Sequence, residues 1–266
     1  MKTRITSAVV ALLILVPIFL SGGTLYNLTV YVLAILSLKE LIAIKETKKE
    51  MPNFIKFISY IIISLLVLYN ISDKEIIFSI DYRIIAGLFL TFLIPTVLYH
   101  NQDKYSVNDA FYLIGAMFFL GISFHLLVLL RNTNLNILVF LFIITIMTDT
   151  FAFFTGFLIG RNKLLESISP KKTWEGLIGG TIVGVFVSAI FYHTVIDANL
   201  SMNVLILMTA FLSILGQLGD LVFSAIKRYY RRKDFSNLMP GHGGILDRLD
   251  SIIFVMLGYM FFMAIL

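Results

Sequence analysis

The stretch from Ser224 to Asp250, SAIKRYYRRKDFSNLMPGHGGILDRLD, carries the residues of this chain best suited to polyphosphate chemistry. Five basic residues fall in the seven positions from Lys227 to Lys233 and offer a cationic wall. Pro240-Gly241-His242-Gly243-Gly244 supplies a flexible turn whose N–H groups can converge on phosphate oxygens. Asp247 and Asp250 follow at i, i+3 beside the expected start of a helix, so their carboxylates share a face. Hard oxygen ligands of this kind suit Mg²⁺, which binds through one or two carboxylates and the substrate's own phosphates. Asp220, arriving from the preceding helix, completes the set. A basic loop beside a membrane commonly just faces anionic lipid, and that accounts for Arg231 and Arg232. It does not account for four interleaved carboxylates, Asp220, Asp234, Asp247 and Asp250, nor for three glycines in four positions.

A second anion-binding arrangement is read in Ser169-Pro170-Lys171-Lys172-Thr173-Trp174-Glu175-Gly176, where two lysines and a hydroxyl precede a helix N-terminus. Trp174 is most simply an interfacial anchor. Asp149 sits in the apolar run Thr145 to Thr150, where a lone charge costs at least ~2.5 kcal/mol, so it must face protein or water. Ser213, Gln217, Asp220, Ser224 and Lys227 recur at helical spacing and form one polar stripe expected to line a cavity. The bland reading, interhelical hydrogen bonds, suits Ser213 or Thr145 alone but not Asp220. Gly176, Gly180 and Gly184, like Gly156 and Gly160, recur every fourth residue and are read as close helix packing. His100, His125 and His193 have no partner at i+3 or i+4 and receive no role.

These residues have to be held by the rest of a 266-residue chain that is 59% hydrophobic and 14% charged. Soluble domains carry roughly 25% charged residues, and a mean hydropathy of +0.93 excludes an ordinary soluble globule. With no cysteine, disulfides, thiolate nucleophiles and Cys-bound metals are excluded. Nine apolar segments match the ~20 residues that cross a bilayer as helix: roughly 5–20, 24–44, 54–71, 83–98, 107–130, 135–160, 174–196, 203–226 and 251–266. Nine crossings leave only Lys74, Arg83 and Arg131 on one side and the other 18 of 21 basic residues on the opposite one. Because cytoplasmic loops are rich in Lys and Arg, the reading is an all-α polytopic membrane protein, N-in and C-out. The net charge of +5 is thereby assigned to loops on one membrane face, not to nucleic acid. Lys2 and Arg4 ahead of an apolar run and Ser21-Gly22-Gly23 also describe a signal peptide, whose removal would leave the other eight spans oriented as before. Residues 1–134 are read as five scaffold spans and residues 135–266 as the catalytic region, with cytoplasmic loops 161–173 and 227–250, in one membrane-embedded unit.

At these motifs the chain resembles the phosphatidate cytidylyltransferases, or CDP-diacylglycerol synthases. Their signature runs Ser, any residue, apolar, Lys-Arg, four residues, Lys-Asp, then Pro-Gly-His-Gly-Gly, apolar, any, Asp-Arg, apolar, Asp. Ser224, Lys227, Arg228, Lys233, Asp234, Pro240 to Gly244, Asp247, Arg248 and Asp250 match it in register. The likeness extends to residues 169–176, to Gly219-Asp220-Leu221 and to Asp149, while the first half matches only as apolar helices. Many bacterial members have Glu just before the Ser, where this chain has Phe223.

The resemblance implies Mg²⁺-dependent transfer of CMP from CTP to phosphatidate, with release of pyrophosphate, at the bacterial cytoplasmic membrane with the site facing the cytoplasm. It assigns Asp220 and Asp247 to the metal, with Asp250 and Asp149 either as additional ligands or as carboxylates behind the ligands, and room for a second cation. Asp220, Asp247, Lys227 and Arg248 are the expected catalytic set. Ser169, Lys171, Lys172, Thr173, Ser224, Lys227, Arg228, Lys233, Asp234, His242, Gly243, Gly244 and Arg248 are the expected substrate contacts. CTP and phosphatidate are the expected partners, without nucleic acid, and a homodimer is compatible. Two rivals remain: another CTP-using lipid enzyme, such as a polyprenol kinase or an archaeal-lipid cytidylyltransferase, which the long signature argues against, and an ion-coupled transporter. Transport would place intramembrane charges in paired halves of an inverted repeat, whereas here they are confined to residues 149–250.

Overall fold

The computed structural model describes residues 2–68, 82–100, 104–197, 200–239, 241 and 243–265. Pro240 and His242 lie outside the described residues. The chain divides into two compact units, Met1–Thr133 with Phe235–Ile245, and Asn134–Asp234 with Leu246–Leu266.

The first unit contains α1 (Lys2–Ser21), α2 (Gly23–Glu46), α3 (Asn53–Leu68), α4 (Tyr82–Leu98) and α5 (Val107–Thr133). Helix α5 packs against α2, α3 and α4. Leu113, Met117, Leu120 and Phe124 recur along it at helical spacing and are wholly buried. Its start is fixed by a reciprocal cap: Ser106 N–H donates to Asp109 Oδ2 at 2.9 Å, and Asp109 N–H donates to Ser106 Oγ at 3.3 Å. Lys45 Nζ meets the other Asp109 oxygen at 2.8 Å, tying the end of α2 to that cap. Arg131 donates to the carbonyls of Phe19 and Leu20 at 2.7 and 2.6 Å, satisfying the end of α1 where Gly22 turns the chain at φ 65°.

The second unit contains α6 (Leu135–Ile159), an antiparallel hairpin of β1 (Lys163–Leu165) and β2 (Ser169–Thr173), α7 (Trp174–Phe191), which runs on as a π-turn over Tyr192–Ile196, α8 (Met202–Tyr229) and α9 (Leu246–Met263). The glycine repeats do what their spacing predicts. A Cβ at Gly180 would lie 2.6 Å from the Thr148 carbonyl oxygen, and one at Gly176 would lie 2.7 Å from that of Ala152, so α7 sits on α6 nearly backbone to backbone. On the opposite side of α7, Trp174, Ile178, Ile182, Phe186 and Ile190 form an exposed apolar stripe at i, i+4 spacing, a surface suited to lipid.

Among the described residues, five helices are long and apolar enough to cross a membrane: α2, α5, α6, α7 with its π-turn, and α8; α3 and α4 are shorter and apolar. The chain is an all-α integral membrane protein apart from the small hairpin, which replaces the loop expected over 161–173. The connection expected at 227–250 is shorter as well. Helix α8 continues to Tyr229 because Lys227 and Arg228 oppose the negative end of the helix, and α9 begins with Asp247 at its positive end.

Candidate active site

The polar stripe of α8 divides into two parts. Ser213 and Gln217 are buried and satisfied by neighbouring helices: Ser213 Oγ lies 2.8 Å from Thr148 Oγ1, and Gln217 Nε2 donates to Thr181 Oγ1 at 3.0 Å and to the Leu177 carbonyl at 3.3 Å. These are packing contacts that fix α6 and α7 against α8. The other part, Asp220, Ser224 and Lys227, belongs to a charged cluster.

Two ion pairs organise that cluster. Lys172, the fourth residue of β2, donates from Nζ to Asp220 Oδ2 at 2.7 Å and to the Gln217 carbonyl at 3.0 Å. Lys227 donates to Asp247 Oδ1 at 2.6 Å, with side chains only 9% and 4% exposed. Ser224 Oγ donates to the remaining Asp220 oxygen at 3.3 Å. Asp149 on α6 accepts a hydrogen bond from the Ser251 hydroxyl on α9, and Asp149, Asp220 and Asp250 lie within electrostatic range of one another. The structure therefore gathers all four proposed metal ligands and two of the proposed phosphate-binding lysines on α6, β2, α8 and α9 of one unit.

The two acids foremost in the metal reading, Asp220 and Asp247, are each held by a lysine. Among the described residues no three His, Cys, Asp or Glu side chains converge as a ready metal cage. The donor set still fits Mg²⁺ in kind, because this ion uses one or two carboxylates and takes its other ligands from water and phosphate.

The remaining residues divide by what they touch. Thr173 is buried, and its Oγ1 accepts the Gly176 N–H at 3.1 Å as the N-cap of α7, which is a structural task. Arg228 reaches the Ile168 carbonyl at 3.4 Å and the Arg232 carbonyl at 3.1 Å, bracing the hairpin turn. Ser169 pairs with Leu165 in the hairpin. Lys171, Lys233, Asp234 and Arg248 are exposed. Phe223 is 1% exposed and meets the ring of Phe254 edge-on, so that position faces the α8–α9 core.

Gly243 and Gly244 belong to the first unit, where Glu40 of α2 meets their segment. Glu40 is 4% exposed and accepts hydrogen bonds from Ser236 Oγ at 2.7 Å and Ile245 N–H at 2.8 Å. Neither Glu40 nor Ser251 was marked by the motifs. For Glu40 the signal was available: it is a carboxylate inside an apolar helix, as is Asp149.

Residues 2–266 match the model of the cytidylyltransferase family. The chain is 39% identical over 257 residues to the phosphatidate cytidylyltransferase of Staphylococcus haemolyticus, covering 96% of each chain. It is 36% identical over 259 residues to that of Staphylococcus saprophyticus and 35% identical over 257 residues to that of Staphylococcus aureus, again over 96% of both chains. A match that runs the length of the sequence takes in both units together with the paired charges of the site, and so the chain belongs to the cytidylyltransferase family.

Proposed function

We propose that this chain is a phosphatidate cytidylyltransferase, joining CTP and phosphatidate into CDP-diacylglycerol and releasing pyrophosphate. The observation that carries the reading is the pair of lysine–carboxylate contacts, Lys172–Asp220 and Lys227–Asp247, set among Asp149 and Asp250. The names of relatives that align over nearly the whole chain support the same reaction.

The lipid phosphate, with a second pKa near ~6, is largely a dianion at neutral pH and is its own nucleophile. One of its oxygens attacks the α-phosphorus of CTP as the bond to the pyrophosphate breaks. What the protein must supply is alignment of two repelling anions and neutralisation of the charge on the leaving group. Lys172 and Lys227 exchange a carboxylate for a phosphate oxygen when substrate enters, which releases Asp220 and Asp247. Lys171, Arg228, Lys233 and Arg248 add positive charge, and the sequence motif assigns phosphate contacts to Gly243 and Gly244 as well. Asp220 and Asp247 would hold Mg²⁺, with Asp149 and Asp250 left for further coordination or a second cation. When bound, the ion supplies charge neutralisation on the phosphates.

The finer topology, nine crossings with the N-terminus inside and the site open to the cytoplasm, rests on the charge split between alternate connections. With no native cysteine, a cysteine placed at exposed Asn237 should resist membrane-impermeant thiol reagents in intact cells and react after lysis. The reaction itself is tested with purified protein, labelled CTP, phosphatidate and Mg²⁺. CDP-diacylglycerol and pyrophosphate in equal amounts are expected, and a label transferred as the γ-phosphate would instead mean a kinase.

A further inference from the structure

We propose that Glu40 is a positioning residue for the glycine segment: a single buried carboxylate oxygen on α2 ties Ser236 to Ile245 and so anchors Gly243 and Gly244 between them. Its Oε1 accepts both the Ser236 hydroxyl at 2.7 Å and the Ile245 N–H at 2.8 Å, so two points nine residues apart are drawn to one atom. Between them, Met239 N–H donates to the Gly243 carbonyl at 2.9 Å. Gly241 and Gly243 stand at φ 78° and 85°, in the left-handed region where a side chain is strained. Gly244 meets a different demand, because a methyl group there would overlap the Glu40 carboxylate itself.

A charge buried to this degree is retained only where hydrogen bonds answer it. The Ser236 hydroxyl and the Ile245 N–H that answer Glu40 come from one short segment, and that segment contains Gly243 and Gly244. Packing α2 would need only an apolar residue at position 40, like its buried neighbours Leu41 and Ile42. An acceptor is needed to set the path of a loop whose N–H groups must already point correctly when phosphate arrives. Ile245 also lies two residues before Asp247 in the chain, so the tether ends where α9 begins. The role rests on the reading of the glycine segment as part of a cytidylyltransferase.

Because both bonds go to Oε1, an oxygen that glutamine retains, charge and geometry can be separated. Glu40→Ala should lower kcat/KM for CTP by roughly 10²-fold, the scale of a displacement of about 1 Å in a positioned group. Glu40→Gln should stay within about fivefold of the native chain, the difference between a charged and a neutral acceptor. Ser236→Ala removes one bond from outside the helix core and should give a smaller loss in the same direction, which keeps the test decisive if Glu40→Ala folds poorly. Hydrogen exchange at the Ile245 amide gives a second readout: faster in Glu40→Ala and nearly native in Glu40→Gln. Glutamine as damaging as alanine with the amide still protected would overturn the proposal, as would lost protection with native kinetics. A native chain that transfers no cytidylyl group would instead overturn the enzymatic reading, so the two failures are distinguishable.

Discussion

Lys227 and Asp247 form an ion pair of 2.6 Å with both side chains almost wholly removed from water. A buried pair differs from a surface one in what happens when half of it is removed: the surviving charge is left unanswered, at a cost of about 3 to 5 kcal/mol, whereas replacing both partners by apolar groups is often neutral. Lys227→Met and Asp247→Leu should each lower thermal stability in detergent markedly. The double variant should recover most of that stability and remain inactive. Additive losses in the double variant would mean that the pair contributes through other contacts and is not coupled as the geometry indicates.

Asp220 and Lys172 separate metal from phosphate. If Asp220 holds Mg²⁺, Asp220→Asn should lower turnover by about two orders of magnitude, and the remaining activity should require more Mg²⁺. Lys172→Met removes the group that occupies Asp220 Oδ2. It should raise KM for CTP without raising the Mg²⁺ requirement. A Mg²⁺ titration of both variants decides the assignment, and equal shifts in the two would refute it.

How much of this was legible in the sequence depends on the range of the interaction. Asp149 and Asp220 were legible because a carboxylate in an apolar helix is expensive wherever the helix goes. The glycine repeat was legible because packing at every fourth residue needs no knowledge of the partner. The hairpin at 163–173 was not: it is held by Asn162, which donates from its backbone N–H and side chain to Glu175, across a segment with little strand propensity. The lysine pairings were hidden for a further reason. Lys172 meets Asp220 across 48 positions of chain, and the motifs marked both lysines as phosphate ligands with no sign of the carboxylate that each one meets in the fold.

The glycines give a stability contrast free of catalysis. At Gly180 a methyl group would meet the Thr148 carbonyl and the Ala152 side chain at 2.6 and 2.7 Å, so Gly180→Ala should force α7 away from α6 and cost about 1 to 3 kcal/mol. At Gly87, inside α4, nothing among the described residues lies within 4 Å of the added carbon. Gly87→Ala should be neutral or stabilise by about 0.4 to 1 kcal/mol through the unfolded chain. Melting temperatures in one detergent compare the two, and a Gly180→Ala variant as stable as Gly87→Ala would remove the close-packing account.

His242 is the histidine of the glycine motif and the obvious nominee for a catalytic base. The chemistry proposed above has no vacancy for one, since the phosphatidate phosphate loses its second proton near pH ~6 and attacks as a dianion. The expected role of His242 is a hydrogen bond to a phosphate oxygen, which Gln reproduces in part, whereas proton abstraction it cannot reproduce. His242→Gln should therefore keep measurable turnover, and its rate should still rise with pH along the second ionisation of the lipid phosphate. The sign follows from the nucleophile: below that pKa the monoanion dominates and the rate falls, and above it the dianion is saturated and the limb flattens. A lipid analogue whose phosphate ionises at lower pH should carry the limb down with it in both the native chain and the variant. A limb that stays in place when the lipid is changed and vanishes when His242 is replaced would transfer the proton from substrate to protein and require a general-base mechanism.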